Sequence, residues 1–309
     1  MTLNFVVADA IRTESLTKHY GRVVALESLD LTVAPGEVYG FLGPNGSGKT
    51  TTIRILLDLV RATRGRALVD GLDSRADSLA VRARVGYLPA EMPLYREMSG
   101  AAYLDYLAAL QSTPVDRTYR SRLLARFDVS DTDLRRRLDH LSHGMKRKFG
   151  IIQALMGQPR LLILDEPTSG LDPLMIEAFA ETIHALKAEG RTTVFLSSHI
   201  LSEVERLCDR VGIIRHGRLV RETSITDLRR ETPRRIRVFF DGNAPAPPQS
   251  LTASVRHSDS RGWELDWQGP LGRALDAMRG LPVSDIEIEP FRLDDYVLRT
   301  YSGTDRTSQ

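Results

Sequence analysis

Cysteine is nearly absent: Cys208 is the only one. A single cysteine excludes an intramolecular disulfide and an all-cysteine metal cage, and fits a reducing compartment. Its simplest reading is a small buried hydrophobe. A surplus of one charge is also missing. Lys and Arg number 42 against 40 Asp and Glu, a formal net charge of +2, too small to drive non-specific nucleic-acid binding over the whole chain by counterion release. No stretch approaches the roughly 20 apolar residues that cross a bilayer. The opening MTLNFVVADAIRTES has neither the cationic start nor the apolar run of a leader, so none is expected. Work at a membrane then requires another chain to span it. There is no internal repeat and no sustained heptad pattern.

What remains is an ordinary globular composition, 42% hydrophobic and 27% charged over 309 residues, enough for one large domain or two smaller ones. VVALESLDLTV and VYGFLG read as strands separated by the turn at Pro35 and Gly36. From about 91 to 158 the pattern is helical, with Met145, Phe149, Ile152 and Met156 at helical spacing. RLLILDEP and TTVFLSSH flank a helical stretch around 173–189, and strand, helix, strand argues for a mostly parallel sheet with crossover helices. VGIIRHGRLVRE reads as a hairpin turning at His216 and Gly217. Beyond about 223 the composition shifts. RRIRVFFD, the Pro/Ala-rich GNAPAPPQS, GWELDW, a short helix near 271–281, the strand DIEIE and a final helix near 293–301 make a small α+β unit. Trp263 and Trp267 are expected in its core.

The chemistry begins at FLGPNGSGKTTTIRI, which holds G-x-x-x-x-G-K-[ST] over 43–50 after a strand and before an apolar helix. A mere flexible turn would not need that setting. Gly43, Pro44, Asn45, Gly46, Ser47, Gly48, Lys49, Thr50 and Thr51 are expected to bind nucleotide. Backbone N–H groups and the helix N-terminus would surround the phosphates. Lys49 would reach the β- and γ-phosphates, and Thr50 would ligate Mg²⁺. LLILDEP adds an apolar strand ending in Asp165, for Mg²⁺, and Glu166, where a base could polarise the attacking water. LSHGMKRKFGIIQAL, over 141–155, admits three readings: a helix cap, a basic nucleic-acid patch, or a phosphate site for a nucleotide held elsewhere.

In their order and spacing the phosphate loop, LSHG, LILDEP, SGLD and the His of SSH resemble the ATP-binding subunits of ABC transporters, over about residues 9–222. The resemblance implies an α/β P-loop NTPase: a mostly parallel sheet, an antiparallel N-terminal β subdomain and a helical subdomain over about 91–158, followed by an α+β accessory domain over 223–309. It implies ATP and Mg²⁺ as cofactors, Tyr20 as adenine-stacking aromatic, SGLD up to Asp172 as the loop linking two ATP sites, and His199 as the switch that senses the γ-phosphate. Ser142 and Gly144 would bind the γ-phosphate of the opposite subunit. The signature departs from the family's LSGGQ at His143 and Met145. Lys146, Arg147 and Lys148 are expected on a solvated helix face near those phosphates. Ala90 stands where many members have glutamine, and an alanine can neither contact a metal nor orient water, so Glu91 or a water is expected to take that role.

The family implies a dimer of ATPase domains, a polytopic permease, a peripheral place on the cytoplasmic face of the membrane, and no nucleic-acid partner. Met92, Leu94 and Tyr95 are candidates for permease docking or for packing under the helices. The single-domain layout and the C-terminal EPFRLDDYVLRTY resemble bacterial drug or antibiotic exporters. An import ATPase, a soluble ABC ATPase acting on DNA or ribosomes, and a regulator that binds without turnover are the alternatives. The long coiled-coil insertion or second ATPase domain of the soluble group is lacking, and intact Glu166 and His199 argue against the regulator.

Overall fold

The computed structural model describes residues 8–289 apart from 93, 94, 96, 112, 113 and 232. It divides between Glu222 and Thr223 into two compact units.

The first unit opens with β1 (Ile11–Tyr20) and β2 (Val23–Val33), antiparallel around a turn in which Gly21 has φ +58°. The fully buried β3 (Val38–Leu42) leads into α1 (Lys49–Leu56). Then come β4 (Arg64–Val69), β5 (Leu72–Asp73), α2 (Ser78–Arg82) and β6 (Val85–Leu88). The helical region contains α3 (Gly100–Ala109), α4 (Arg117–Arg126), α5 (Asp131–Arg135) and α6 (His143–Leu155). Each begins where a side chain can accept from an orphan helical N–H: Ser99, Asp116, Ser130 and Ser142 are the respective caps. The chain then alternates through β7 (Leu161–Asp165), α7 (Pro173–Glu189), β8 (Thr193–Ser198) and α8 (Leu201–Leu207) before β9 (Arg210–Arg215) and β10 (Arg218–Ser224).

Two sheets result. One is antiparallel, in the order β2-β1-β4-β5, and the other runs β10-β9-β3-β8-β7-β6 with parallel pairing from β9 to β6. The hairpin at His216 and Gly217 is as expected, both residues having positive φ as a tight turn demands. Ile11, Leu16, Leu29, Tyr39, Phe41, Ile53, Ile163 and Phe195 are buried in a core that joins the sheets and α1. Cys208 is buried too, which pushes its thiol well up; in this it matches the sequence reading.

The second unit holds α9 (Ile225–Glu231), β11 (Arg234–Phe240), α10 (Gln249–Thr252), β12 (Val255–Ser258), β13 (Gly262–Trp267), α11 (Leu271–Ala277) and β14 (Val283–Ile288). Its antiparallel sheet runs β12-β13-β11-β14. Ile236, Val238, Trp263 and Leu265 pack with Leu251 and Ala274, and Trp267 joins the edge of this core. Both indoles keep a hydrogen-bond partner, Trp263 Nε1 donating to Pro245 O at 2.9 Å and Trp267 Nε1 to Pro270 O at 3.2 Å. The helix expected near 271–281 stops at Ala277, ahead of Gly280 at φ +84°. The Pro/Ala-rich loop gains a helical turn, α10, led by Pro248. The expected helix near 293–301 lies outside the described residues.

Candidate active site

Topology assembles the site. In the parallel sheet β8 lies between β3 and β7, with Leu42 level with Ser198 and Asp165 level with Ser197. The carboxyl ends of the three strands therefore carry the phosphate loop, Asp165-Glu166 and His199 to one edge, where open α/β sheets bind ligands.

The loop between β3 and α1 depends on absent side chains. Gly46 and Gly48 have φ of +79° and +115°, and a Cβ on Gly48 would stand 2.8 Å from Ala25 O. α1 starts with no side-chain cap and no acidic residue in its first turn, which leaves its N–H groups and positive end for an anion. Asn45, Gly46, Ser47, Gly48, Lys49, Thr50 and Thr51 line a cavity of about 260 Å³ together with Ala25, Ala90 and Glu166. Gly43 and Pro44 stand just behind: Lys49 Nζ donates to Gly43 O at 2.6 Å and to Pro44 O at 3.3 Å.

Asp165 is fully buried at the end of β7. Its Oδ2 accepts from Thr50 Oγ1 at 2.9 Å, and its Oδ1 accepts from Ser197 Oγ. Glu166 follows with φ +51°, an uncommon conformation for a residue with a Cβ. Its Oε2 is 2.6 Å from His199 Nδ1 and its Oε1 3.4 Å from Lys49 Nζ. Ser47 Oγ and Glu166 Oε1, both on the cavity's lining, are buried without a hydrogen-bond partner. A phosphate with its hydration would supply what they lack. The hydroxyl and carboxylate of Thr50 and Asp165 are the hard oxygen donors that Mg²⁺ takes, alongside phosphate and water. No cluster of three or more His, Cys, Asp or Glu suited to a metal occurs among the described residues.

The remaining predicted residues are dispersed. Tyr20 is 45% exposed at the end of β1 beside exposed Val23, and Lys18 Nζ lies 4.7 Å from its ring centroid. Ser142 caps α6, its Oγ accepting from Met145 N at 3.2 Å. Asp172 caps α7, with Oδ1 accepting from Met175 N at 2.9 Å. Gly144 lies where a Cβ would come within 3.0 Å of Gly170 O. A Cβ on Gly170 would overlap the His143 ring, so the ring at the departure from the family signature packs on the SGLD loop.

Two expectations need correction. Glu91 is not on the lining of the phosphate cavity. Ala90 is, whereas Glu91 lines a separate groove with Arg54, Tyr87, Met92, Tyr95 and Tyr103. Met92 also packs on α6, where a Cβ at Gly150 would meet its Sδ at 2.5 Å. Tyr95 is 53% exposed, and Leu94 lies outside the described residues. The basic run, in turn, is not a solvated face: Arg147 is 1% and Lys148 8% exposed. The Arg147 guanidinium donates to five main-chain oxygens, those of Pro89 at 2.5 Å, Ala90 at 3.1 Å, Asp165 at 2.7 Å, Glu166 at 2.5 Å and Pro167 at 3.1 Å. Sequence reasoning missed this residue. The signal was its spacing, since Arg147, Ile151 and Ala154 fall at i, i+4 and i+7 on one helix face.

Comparison with known proteins agrees with this geometry. Residues 26–169 match the family model described as ABC transporter. The chain is 32% identical to a bacitracin transport ATP-binding protein of Bacillus licheniformis over 96% of its own length and 99% of that protein. It is 39% identical to a daunorubicin resistance ATP-binding protein of Streptomyces coeruleorubidus over 72% of this chain and 71% of the other. A solved ATP-binding subunit of an ABC transporter superposes with a TM-score of 0.66 at 31% identity, covering 72% of this chain and 92% of that one. The end-to-end relative takes in both units, and the chain belongs to the ATP-binding proteins of ABC transporters, which bind and hydrolyse ATP.

Proposed function

We propose that two such chains, identical or similar, hold two ATP molecules head to tail and power export through a separate polytopic permease. Nucleotide closes the pair and hydrolysis lets it open, a population shift driven by differential affinity. One observation carries the shared site: Lys49, Thr50 and Glu166 line one cavity, while Ser142 and Gly144, the other expected phosphate binders, are not on its lining. A site that uses both sets needs a second subunit. Thr50 and Asp165 would hold the Mg²⁺ that neutralises phosphate charge. Glu166, held by His199 and Lys49, would accept the proton of the attacking water. Tyr20 would stack on the base.

Export is supported by the bacitracin transport and daunorubicin resistance of the relatives. No helix among the described residues is long and apolar enough to cross a membrane, which fits a peripheral subunit on the cytoplasmic face. The groove around Tyr87, Glu91 and Tyr95, one residue along from cavity-lining Ala90, would receive the permease. Affinity purification tests the proposal: a polytopic membrane protein is expected to co-purify. Recovery with ribosomes or DNA in a steeply salt-dependent manner would instead favour a soluble ABC ATPase.

A further inference from the structure

Arg147 is among the largest fully buried side chains of the described residues, and its use of charge is unusual. A buried guanidinium ordinarily finds a carboxylate in a two-pronged pair. Here the fork is spread over five carbonyls from two segments: Pro89 and Ala90 after β6, and Asp165 at the end of β7 with Glu166 and Pro167 after it. Burial pushes the guanidinium down to about 10, which still leaves it charged at neutral pH.

We propose that Arg147 is a positioning residue that joins the phosphate-binding end of α6 to the hydrolytic carboxylate and to the permease-facing loop. The inference rests on the shared-site reading above, in which Ser142 and Gly144 meet a phosphate held by the other subunit. Three points carry it. First, α6 is a 13-residue helix, and Arg147 follows its cap by five residues, roughly 7 to 8 Å along the axis at 1.5 Å per residue. A displacement at the cap is thus delivered to the guanidinium with little loss. Second, Glu166 holds φ +51°, which persists only where its surroundings impose it. Arg147 grips the carbonyl of Glu166 and those of both neighbours, and so sets the peptide planes that aim the carboxylate at His199 and Lys49. Third, the same guanidinium grips Ala90 O. The Ala90 side chain has no polar atom to report on the nucleotide, so the main chain of this loop, through Arg147, carries the link in its place.

The test uses Arg147→Lys and Arg147→Met in the full chain, alone and with its co-purified permease. Lysine keeps the charge but offers three freely rotating donors in place of the planar fork. Turnover is expected to fall about 10- to 100-fold in both variants, as small misplacements of catalytic groups do. Affinity for a fluorescent ATP analogue should stay within about twofold, and stimulation of turnover by the permease should be lost. The same exchange in a Glu166→Gln background should leave ATP-dependent dimerisation intact. The inference is overturned if Arg147→Lys keeps turnover and stimulation, if nucleotide affinity falls in step with turnover, or if the lysine variant does not fold, which would assign Arg147 to stability. If Glu166→Gln by itself stays monomeric with ATP, the shared site fails, and this inference with it.

Discussion

His199 Nδ1 lies 2.6 Å from Glu166 Oε2, joining the residues that directly follow β8 and β7. The other carboxylate oxygen is 3.4 Å from Lys49 Nζ. One side chain thus connects Lys49 with His199, and its φ of +51° fixes the direction in which it points.

Glu166→Gln and His199→Ala are each expected to lower turnover by roughly 10² to 10⁴, the usual worth of a positioned general base. Because the two act as a unit, the double variant should lose little more than the worse single one. Steady-state phosphate release checks the rates. Binding of an ATP analogue should survive in Glu166→Gln, since the phosphate loop is untouched. Multiplicative losses would mean that the two residues work independently.

Chelation of divalent cations should abolish hydrolysis. Thr50→Val removes the hydroxyl that donates to Asp165 Oδ2, and should raise the Mg²⁺ concentration for half-maximal turnover by roughly tenfold. A Mg²⁺ titration reads this directly, and an unchanged midpoint would remove Thr50 from the metal site.

Gly170→Ala places a Cβ at φ +77° and against the His143 ring. It should destabilise the chain by about 1 to 3 kcal/mol. His143→Ala alone should cost less, and His143→Ala with Gly170→Ala should recover the part due to overlap, leaving the backbone part. Denaturant melts of the four proteins close this cycle.

Burial raises the Glu203 carboxyl above its ordinary value even though Ser198 Oγ donates to it at 2.5 Å. The native state therefore keeps this proton at pH values where the unfolded chain has lost it. The residue's stabilising contribution is present below the ordinary carboxylate value and is lost as pH rises through the raised one. Glu203→Gln, which does not ionise, should gain on the parent above the raised value and lose that advantage as pH falls from the raised value to the ordinary carboxylate one. Thermal melts across pH test this, and a pH-independent difference would contradict it.

The legible parts of the site were local. The phosphate loop needs glycines at fixed spacing, β7 is an unbroken apolar run ending in two acids, and His216-Gly217 supplies the positive φ of a hairpin. Arg147 was hidden because three consecutive basic residues look solvated, while α6 is buried on most of its circumference. The helical spacing of Arg147 with Ile151 and Ala154 was the one pointer, and tertiary packing decided that this face is buried. Glu91 was misplaced for a related reason: adjacent residues after β6 face different cavities, and proximity in sequence says nothing of that. β4 hid behind Arg64 and Arg66, which leave only its last half buried.

The shared site itself is tested most directly by subunit complementation. Lys49→Ala removes the phosphate lysine and Ser142→Phe blocks the α6 cap; each alone should be inactive. Mixed in equal amounts, they form dimers with one site that has Lys49 from one chain and Ser142 from the other. Hydrolysis is expected to recover to about a quarter of the parent's if mixing is random and the two sites are independent. No recovery, in mixtures where cross-linking proves that mixed dimers have formed, would contradict a site built from two subunits.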